Sequence, residues 1–161
     1  MHERPAIFIR NAVDRDMDVM IALLHDLFSI EEDFHVDPEK QRRGLAMLIQ
    51  NRDGACCKVA VDDVRGCVVG MCTAQTLIST AEGGIVAIVE DVVVEKNYRG
   101  QGIGARLMRT LADWAEKRGI TRLQLLYDME NIPALSFYRK LGWQPTHLGC
   151  LRLTIRPGEA F

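Results

Sequence analysis

The chain of 161 residues lacks several features that would place it at once. It has no lysine- or arginine-rich run, and its formal charge is −2 with a pI near 6.1, which argues against a general nucleic-acid binder. No apolar stretch reaches the roughly 18 residues of a membrane span. Met1-His2-Glu3-Arg4-Pro5 is not followed by the apolar core of a signal peptide, so a cytoplasmic chain with no membrane partner is expected. The five cysteines, Cys56, Cys57, Cys67, Cys72 and Cys150, form no Cys-x-x-Cys pair, and the four histidines do not gather beside them. That pattern predicts free thiols in a reducing compartment and no zinc site. There is also no internal repeat, low-complexity segment or linker, which fits a single domain over residues 1–161.

What is present is ample apolar material, 48% of residues, in patterned runs. Ala6 to Arg10 reads as a first strand. Asp14 to Asp18 supply cap and first-turn acids for a helix whose core face is Met17, Met20, Ile21, Leu24, Leu27 and Phe28. Asp37-Pro38 starts a second helix running to about Gln50. Cys57, Val59 and Val61 alternate with Lys58, Ala60 and Asp62, as in a half-exposed strand, and Asp62 to Gly66 reads as a hairpin loop. Cys67 to Thr76 is a further strand, and Ile85 to Val94, nearly all β-branched, reads as a central one covered on both faces. A helix follows with Ile103, Leu107, Leu111 and Trp114/Ala115 inward, stopped at Lys117-Arg118-Gly119. Leu123 to Tyr127 is the next strand, and a short helix capped by Asn131 buries Ala134, Phe137, Tyr138 and Leu141. Trp143 to Ile155 reads as a closing hairpin. The predicted order is β-α-α-β-β-β-α-β-α-β, with one further strand if that hairpin forms.

The chemistry concentrates between residues 92 and 108. There a β-branched strand passes through a polar loop into Arg99-Gly100-Gln101-Gly102-Ile103-Gly104-Ala105-Arg106 and then into a helix. Glycines leave backbone N–H groups approachable where a helix begins, and a helix start carries unpaired donors and the positive end of the macrodipole. With Arg99, this is a seat for phosphate. A dinucleotide fingerprint fits poorly. The turn lies late in the chain, Glu95 to Arg99 separate the strand from the first glycine, and no acid closes the next strand to hold a ribose. A P-loop fails for want of Gly-Lys-Ser/Thr.

Strand, Arg99-x-x-Gly102-x-Gly104, helix, together with Asn131-x-x-Ala134-x-x-Phe137-Tyr138-x-Lys140-x-Gly142-Trp143, resembles the GNAT superfamily of acetyl-coenzyme A-dependent N-acetyltransferases. Trp143 stands where the family usually has phenylalanine. The resemblance implies an α/β (α+β) fold with a central mixed, mostly antiparallel sheet flanked by helices. It implies transfer of acetyl from acetyl-coenzyme A to a small-molecule or peptide or protein amine, in a homodimer, with no metal; no cysteine lies on the two motif segments, so direct attack on the thioester is a simpler mechanism than a cysteine nucleophile. The pyrophosphate of coenzyme A would meet the backbone of Arg99, Gln101, Gly102, Ile103, Gly104 and Ala105, and the pantetheine arm would pair with Val92, Val93 and Val94. Asn131 would lie near the coenzyme, and Tyr138 would protonate the departing thiolate; the competing reading of Tyr138 is a core tyrosine.

Removal of a proton from the acceptor calls for a carboxylate. Val89 to Gly104 is similar to the diamine and polyamine acetyltransferases, which carry a Glu-Asp pair, and this implies Glu90 as base and Asp91 as substrate contact. Adjacent strand residues face opposite sides, so only one can reach the acceptor unless a bulge intervenes. Glu32, in the acidic run Glu31-Glu32-Asp33, Phe34 just after it, and Tyr127 are candidate substrate contacts; a solvated loop and loop capping are the competing readings. A non-catalytic acyl-coenzyme A sensor on the same fold is the alternative function, which retention of Glu90, Asn131 and Tyr138 argues against.

Overall fold

The computed structural model of the chain describes residues 6–30 and 35–155. Its elements are β1 (Ile7–Asn11), α1 (Met17–Phe28, entered through a 3-10 turn at Asp14–Asp16), α2 (Pro38–Gln50), β2 (Ala55–Asp62), β3 (Cys67–Ser79), β4 (Gly84–Val94), α3 (Ile103–Lys117), β5 (Leu123–Leu125) and α4 (Ile132–Lys140). They fall into two compact units divided between Leu125 and Leu126.

The first unit holds one five-stranded sheet in the order β1-β2-β3-β4-β5. The first three pairings are antiparallel, and β4 pairs β5 in parallel. On one face Met20, Leu23 and Leu24 of α1 and Leu45 of α2 pack with Cys57, Val59, Met71 and Val93 of the sheet. On the other lies α3, whose Ile103, Leu107, Met108, Leu111, Trp114 and Ala115 are all buried. Apolar spacing of three and four residues builds that stripe, and burying it supplies most of the helix's stability.

Local chemistry sets the helix starts. Asp37 Oδ1 accepts the N–H of Lys40 at 3.2 Å, and Pro38 takes the first helical position of α2. At α1, by contrast, Asp16 makes no cap to its own helix. It turns back to a two-pronged pair with Arg10 (2.6 and 2.9 Å) and accepts the Val13 N–H at 2.9 Å. Burial works to raise the pKa of Asp16, but the Arg10 and Val13 donors outweigh it and hold the carboxyl below its usual range. The pair ties the end of β1 to the entrance of α1.

Three features depart from the sequence expectation. Strand β2 is not half-exposed: every residue but Lys58 is buried, because α3 covers the face opposite α1 and α2. β5 stops at Leu125 rather than Tyr127, since its ladder with β4 ends at the Val89–Leu125 pair. Residues 143–155 hold no strand. Leu151, Leu153 and Ile155 alternate as strand residues do, but all three are exposed. Alternation specifies a strand only where a covering layer rewards one face.

Candidate active site

β4 is interrupted where the chemistry was expected. Met71 pairs with Val93 and Thr73 with Glu90, so Cys72 alone on β3 stands against two residues, Asp91 and Val92, on β4. Asp91 takes up the extra residue with φ of +52°, the single non-glycine residue in the left-handed region among those described. Aspartate tolerates that conformation better than β-branched residues do, and such bulges re-aim side chains.

The bulge places both carboxylates on one face. Thr73 and Gln75 are two residues apart on β3 and so point the same way. Thr73 Oγ1 donates to Asp91 Oδ2 at 3.0 Å, and Gln75 Nε2 donates to Glu90 Oε2 at 3.3 Å. Thr73 lies opposite Cys57, so the face is the one covered by α1 and α2. Glu90 is exposed and Asp91 half-buried. Desolvation pushes the Asp91 carboxyl up to about 6; the Thr73 hydrogen bond opposes this, and the neighbouring Glu90 charge adds to it.

Downstream, β4 leads through a 3-10 turn (Lys96–Tyr98) into the glycine turn. Gly100 and Gly102 have φ of +75° and +78°, and nothing lies within 4 Å of where a Cβ would stand on either. Gly102 is the N-cap of α3, and no side chain caps the helix. The first-turn N–H groups of Ile103, Gly104 and Ala105 therefore lack a side-chain acceptor, as a helix start built for an anion should. The residues present fit a coenzyme pyrophosphate. The Arg99 side chain has another role: its Nε donates to the Val94 carbonyl at 2.8 Å, bracing the end of β4, and Gln101 Nε2 donates to the Asn97 carbonyl at 3.3 Å. One of the backbone groups expected to meet the pantetheine arm, the Val94 carbonyl, is thus already bonded.

The second unit carries the other expected residues. Asn131 caps α4, its Oδ1 accepting the Ala134 N–H at 3.1 Å. Tyr138 is half-buried with Phe137 edge-on at 5.1 Å and Trp143 tilted at 6.0 Å. Tyr127 follows β5 and is exposed. Glu32 and Phe34 lie outside the described residues. Among the described residues no three His, Cys, Asp or Glu side chains cluster as a metal site, and no helix is long and apolar enough to cross a membrane. Open clefts of about 500 Å³ along α4 and about 590 Å³ between α2, β2 and α3 are lined by neither Glu90, Asp91 nor the glycine turn. Volume and chemistry disagree here, and the paired carboxylates and uncapped helix are the stronger guide to function.

Sequence reasoning missed two parts of this arrangement. Thr73 carried no signal in an apolar strand, and Asp62, read as loop, is buried against Tyr98.

The profile of the Acetyltransferase (GNAT) family matches residues 24–143. An uncharacterised N-acetyltransferase of Methanocaldococcus jannaschii is 28% identical over 151 residues, 92% of this chain and 66% of that protein. The glucosamine 6-phosphate N-acetyltransferase of Trypanosoma brucei brucei is 31% identical over 97 residues, 60% of this chain and 64% of that one. The chain thus spans just under two thirds of the length of these relatives. The crystal structure of a transcriptional regulator from Bacillus halodurans C-125 superposes with a TM-score of 0.80 at 26% identity, over 92% of this chain and 99% of that one. The family profile spans residues 24–143, most of the chain, and the fold superposes over 92% of it, so the chain belongs to the GNAT acetyltransferase family.

Proposed function

We propose that the chain moves an acetyl group from acetyl-coenzyme A to an amine by direct attack, with Asp91 as the proton acceptor and Glu90 as a contact for the cationic acceptor. This exchanges the two roles expected from the sequence. The observation that carries it is the bulge: it turns both carboxylates to one face of β4, just upstream of the glycine turn.

Bound acetyl-coenzyme A supplies an activated thioester. The backbone N–H groups from Gln101 to Ala105 hold its pyrophosphate, and Val92 and Val93 offer backbone pairing to the arm. An aliphatic ammonium has a pKa near 10.4, so losing its proton to a carboxylate at about 6 is uphill by roughly 6 kcal/mol. At its usual 3.8 the gap would be about two units wider. Burial therefore makes Asp91 the stronger base while leaving it ionised at neutral pH, and the transfer completes as the amine commits to attack. Tyr138 is proposed to protonate the leaving thiolate, and Asn131 to contact the coenzyme through the part of its amide not used in the cap. The five free cysteines support a reducing, cytoplasmic setting, and the family resemblance supports a homodimer.

The test is a panel of polyamines, amino acids, aminoglycosides and peptides, read by thiol release. Amine-dependent release that collapses in Asp91→Asn supports the reading. Tight coenzyme A binding with no release for any amine would favour the sensor instead.

A further inference from the structure

A glycine turn is a poor pyrophosphate seat unless something outside it fixes its shape. Gly100 and Gly102 contribute no side-chain packing and are free to adopt many conformations in the absence of restraint. The helix side is held by Ile103, which is 2% exposed. On the strand side the last residue before Arg99 is Tyr98, which is 6% exposed and donates its hydroxyl to Asp62 Oδ2 at 2.7 Å. Asp62 ends β2 and is itself 2% exposed. Its other oxygen accepts the N–H groups of Val64 and Arg65 at 3.0 and 3.1 Å, so the carboxylate is fixed by the β2–β3 turn. Asp62 forms no ion pair among the described residues; hydroxyl and amide donors hold its buried charge, with the Arg65 charge adding to them.

We propose that the Tyr98–Asp62 hydrogen bond is a positioning device for the coenzyme turn, locking the entrance of Arg99–Gly102 to the β2–β3 turn so that the N–H groups behind it are aimed before the cofactor arrives. This rests on the reading of that turn as the pyrophosphate seat. Neither residue touches the acceptor face: the carboxylate pair sits on β4 before the turn, and Asp62 lies opposite Cys67 at the far end of β3 from Thr73 and Gln75. Loss of the lock weakens coenzyme A binding and leaves the chemical step alone, because ordering the turn is then charged to binding. The bond also fixes the protonation of its partners, tyrosine protonated and carboxylate ionised. Accepting from Tyr98 keeps Asp62 below the usual carboxylate range, and the tyrosine is pushed up to about 12, so the lock stays closed throughout the neutral range.

The test is calorimetric titration of coenzyme A into the wild type, Tyr98→Phe and Asp62→Asn, with acetyl-coenzyme A kinetics alongside. Tyr98→Phe keeps the ring and loses the hydroxyl; Asp62→Asn keeps an oxygen for the amides and loses the acceptor for Tyr98. Each is expected to raise Kd and KM for the coenzyme about tenfold, to leave kcat at saturation within about twofold, and to show no additivity in the double variant. Leu24→Ala, a core truncation in α1, serves as the destabilised control and keeps wild-type affinity. Folded variants that bind coenzyme A as the wild type does would overturn the proposal, as would equal weakening in Leu24→Ala. Should Tyr98→Phe fail to fold, Asp62→Asn reads the same bond. A wild type that does not bind coenzyme A overturns the pyrophosphate reading and the lock with it, whereas tight wild-type binding with unaffected variants overturns the lock alone.

Discussion

Thr73 and Asp91 are joined by a 3.0 Å hydrogen bond across the one interruption of the β3–β4 ladder, where two residues of β4 face a single residue of β3. The bond holds a half-buried carboxylate whose pKa stands near 6. A base must be ionised to work, so kcat/KM for the acceptor should fall on the acid side with an apparent pKa near 6. Asp91→Asn should remove that limb and lower kcat by about 10²–10⁴-fold. Glu90→Gln should raise the acceptor KM and keep the limb. The Thr73 donor lowers the Asp91 pKa, so Thr73→Val should move the limb to higher pH.

The same shift has a cost in stability. Asp91 titrates near 6 when folded against 3.8 ordinarily, so between these values the folded chain binds more protons than the unfolded one. Its penalty is absent below about pH 4 and complete above about pH 6, amounting to about 2–3 kcal/mol at neutral pH. Asp91→Asn should therefore be the more stable protein at pH 7 while turning over slowly, with the gain shrinking as pH drops toward 4. Chemical denaturation at both pH values checks the sign.

Gly70 sets how closely β3, β4 and α3 approach. A Cβ there would stand 3.1 Å from the Val93 carbonyl oxygen, 3.3 Å from Val94 Cγ2 and 3.4 Å from Leu107 Cδ1. Gly70→Val should destabilise by about 1–3 kcal/mol through overpacking and, by pushing β4 from α3, weaken coenzyme binding as well. Thermal melts and a binding titration on the folded fraction separate the two effects.

At Gly102 the constraint is backbone alone. There is open space for a side chain, but φ of +78° costs an L-residue about 1–2 kcal/mol. Gly102→Ala should lose that much stability if the turn keeps its shape, or lose coenzyme affinity if the turn relaxes. A variant unchanged in both would show that the turn has no need of this conformation.

Much of this was legible in the residues, for identifiable reasons. Asp37-Pro38 announces α2 because cap and first-turn chemistry are local, and the inward stripe of α3 follows from its spacing. The glycine turn could be read because glycines ahead of a periodic apolar stripe mark a helix start, here one left without a side-chain cap. The bulge could not. A β-branched run from Ile85 to Val94 looks like an unbroken strand, and the residue that breaks it is an aspartate rather than a glycine. Alternation then assigns Glu90 and Asp91 to opposite faces, and only the register of β3 against β4 reverses that. Asp62 was equally opaque: a charged residue at a hairpin reads as solvated, and the Tyr98 hydroxyl that lets it be buried is 36 residues away. The exposed alternation at Leu151, Leu153 and Ile155 shows the opposite error, a local strand signal with no tertiary layer to use it.

The most direct test is thiol release from acetyl-coenzyme A across the amine panel, wild type beside Asp91→Asn, from pH 5 to 9. The account predicts release that requires an amine, rises through an apparent pKa near 6, and falls at least about a hundredfold when Asp91 is replaced. Release that Asp91→Asn leaves intact, or tight coenzyme A binding with no release for any amine, would contradict it.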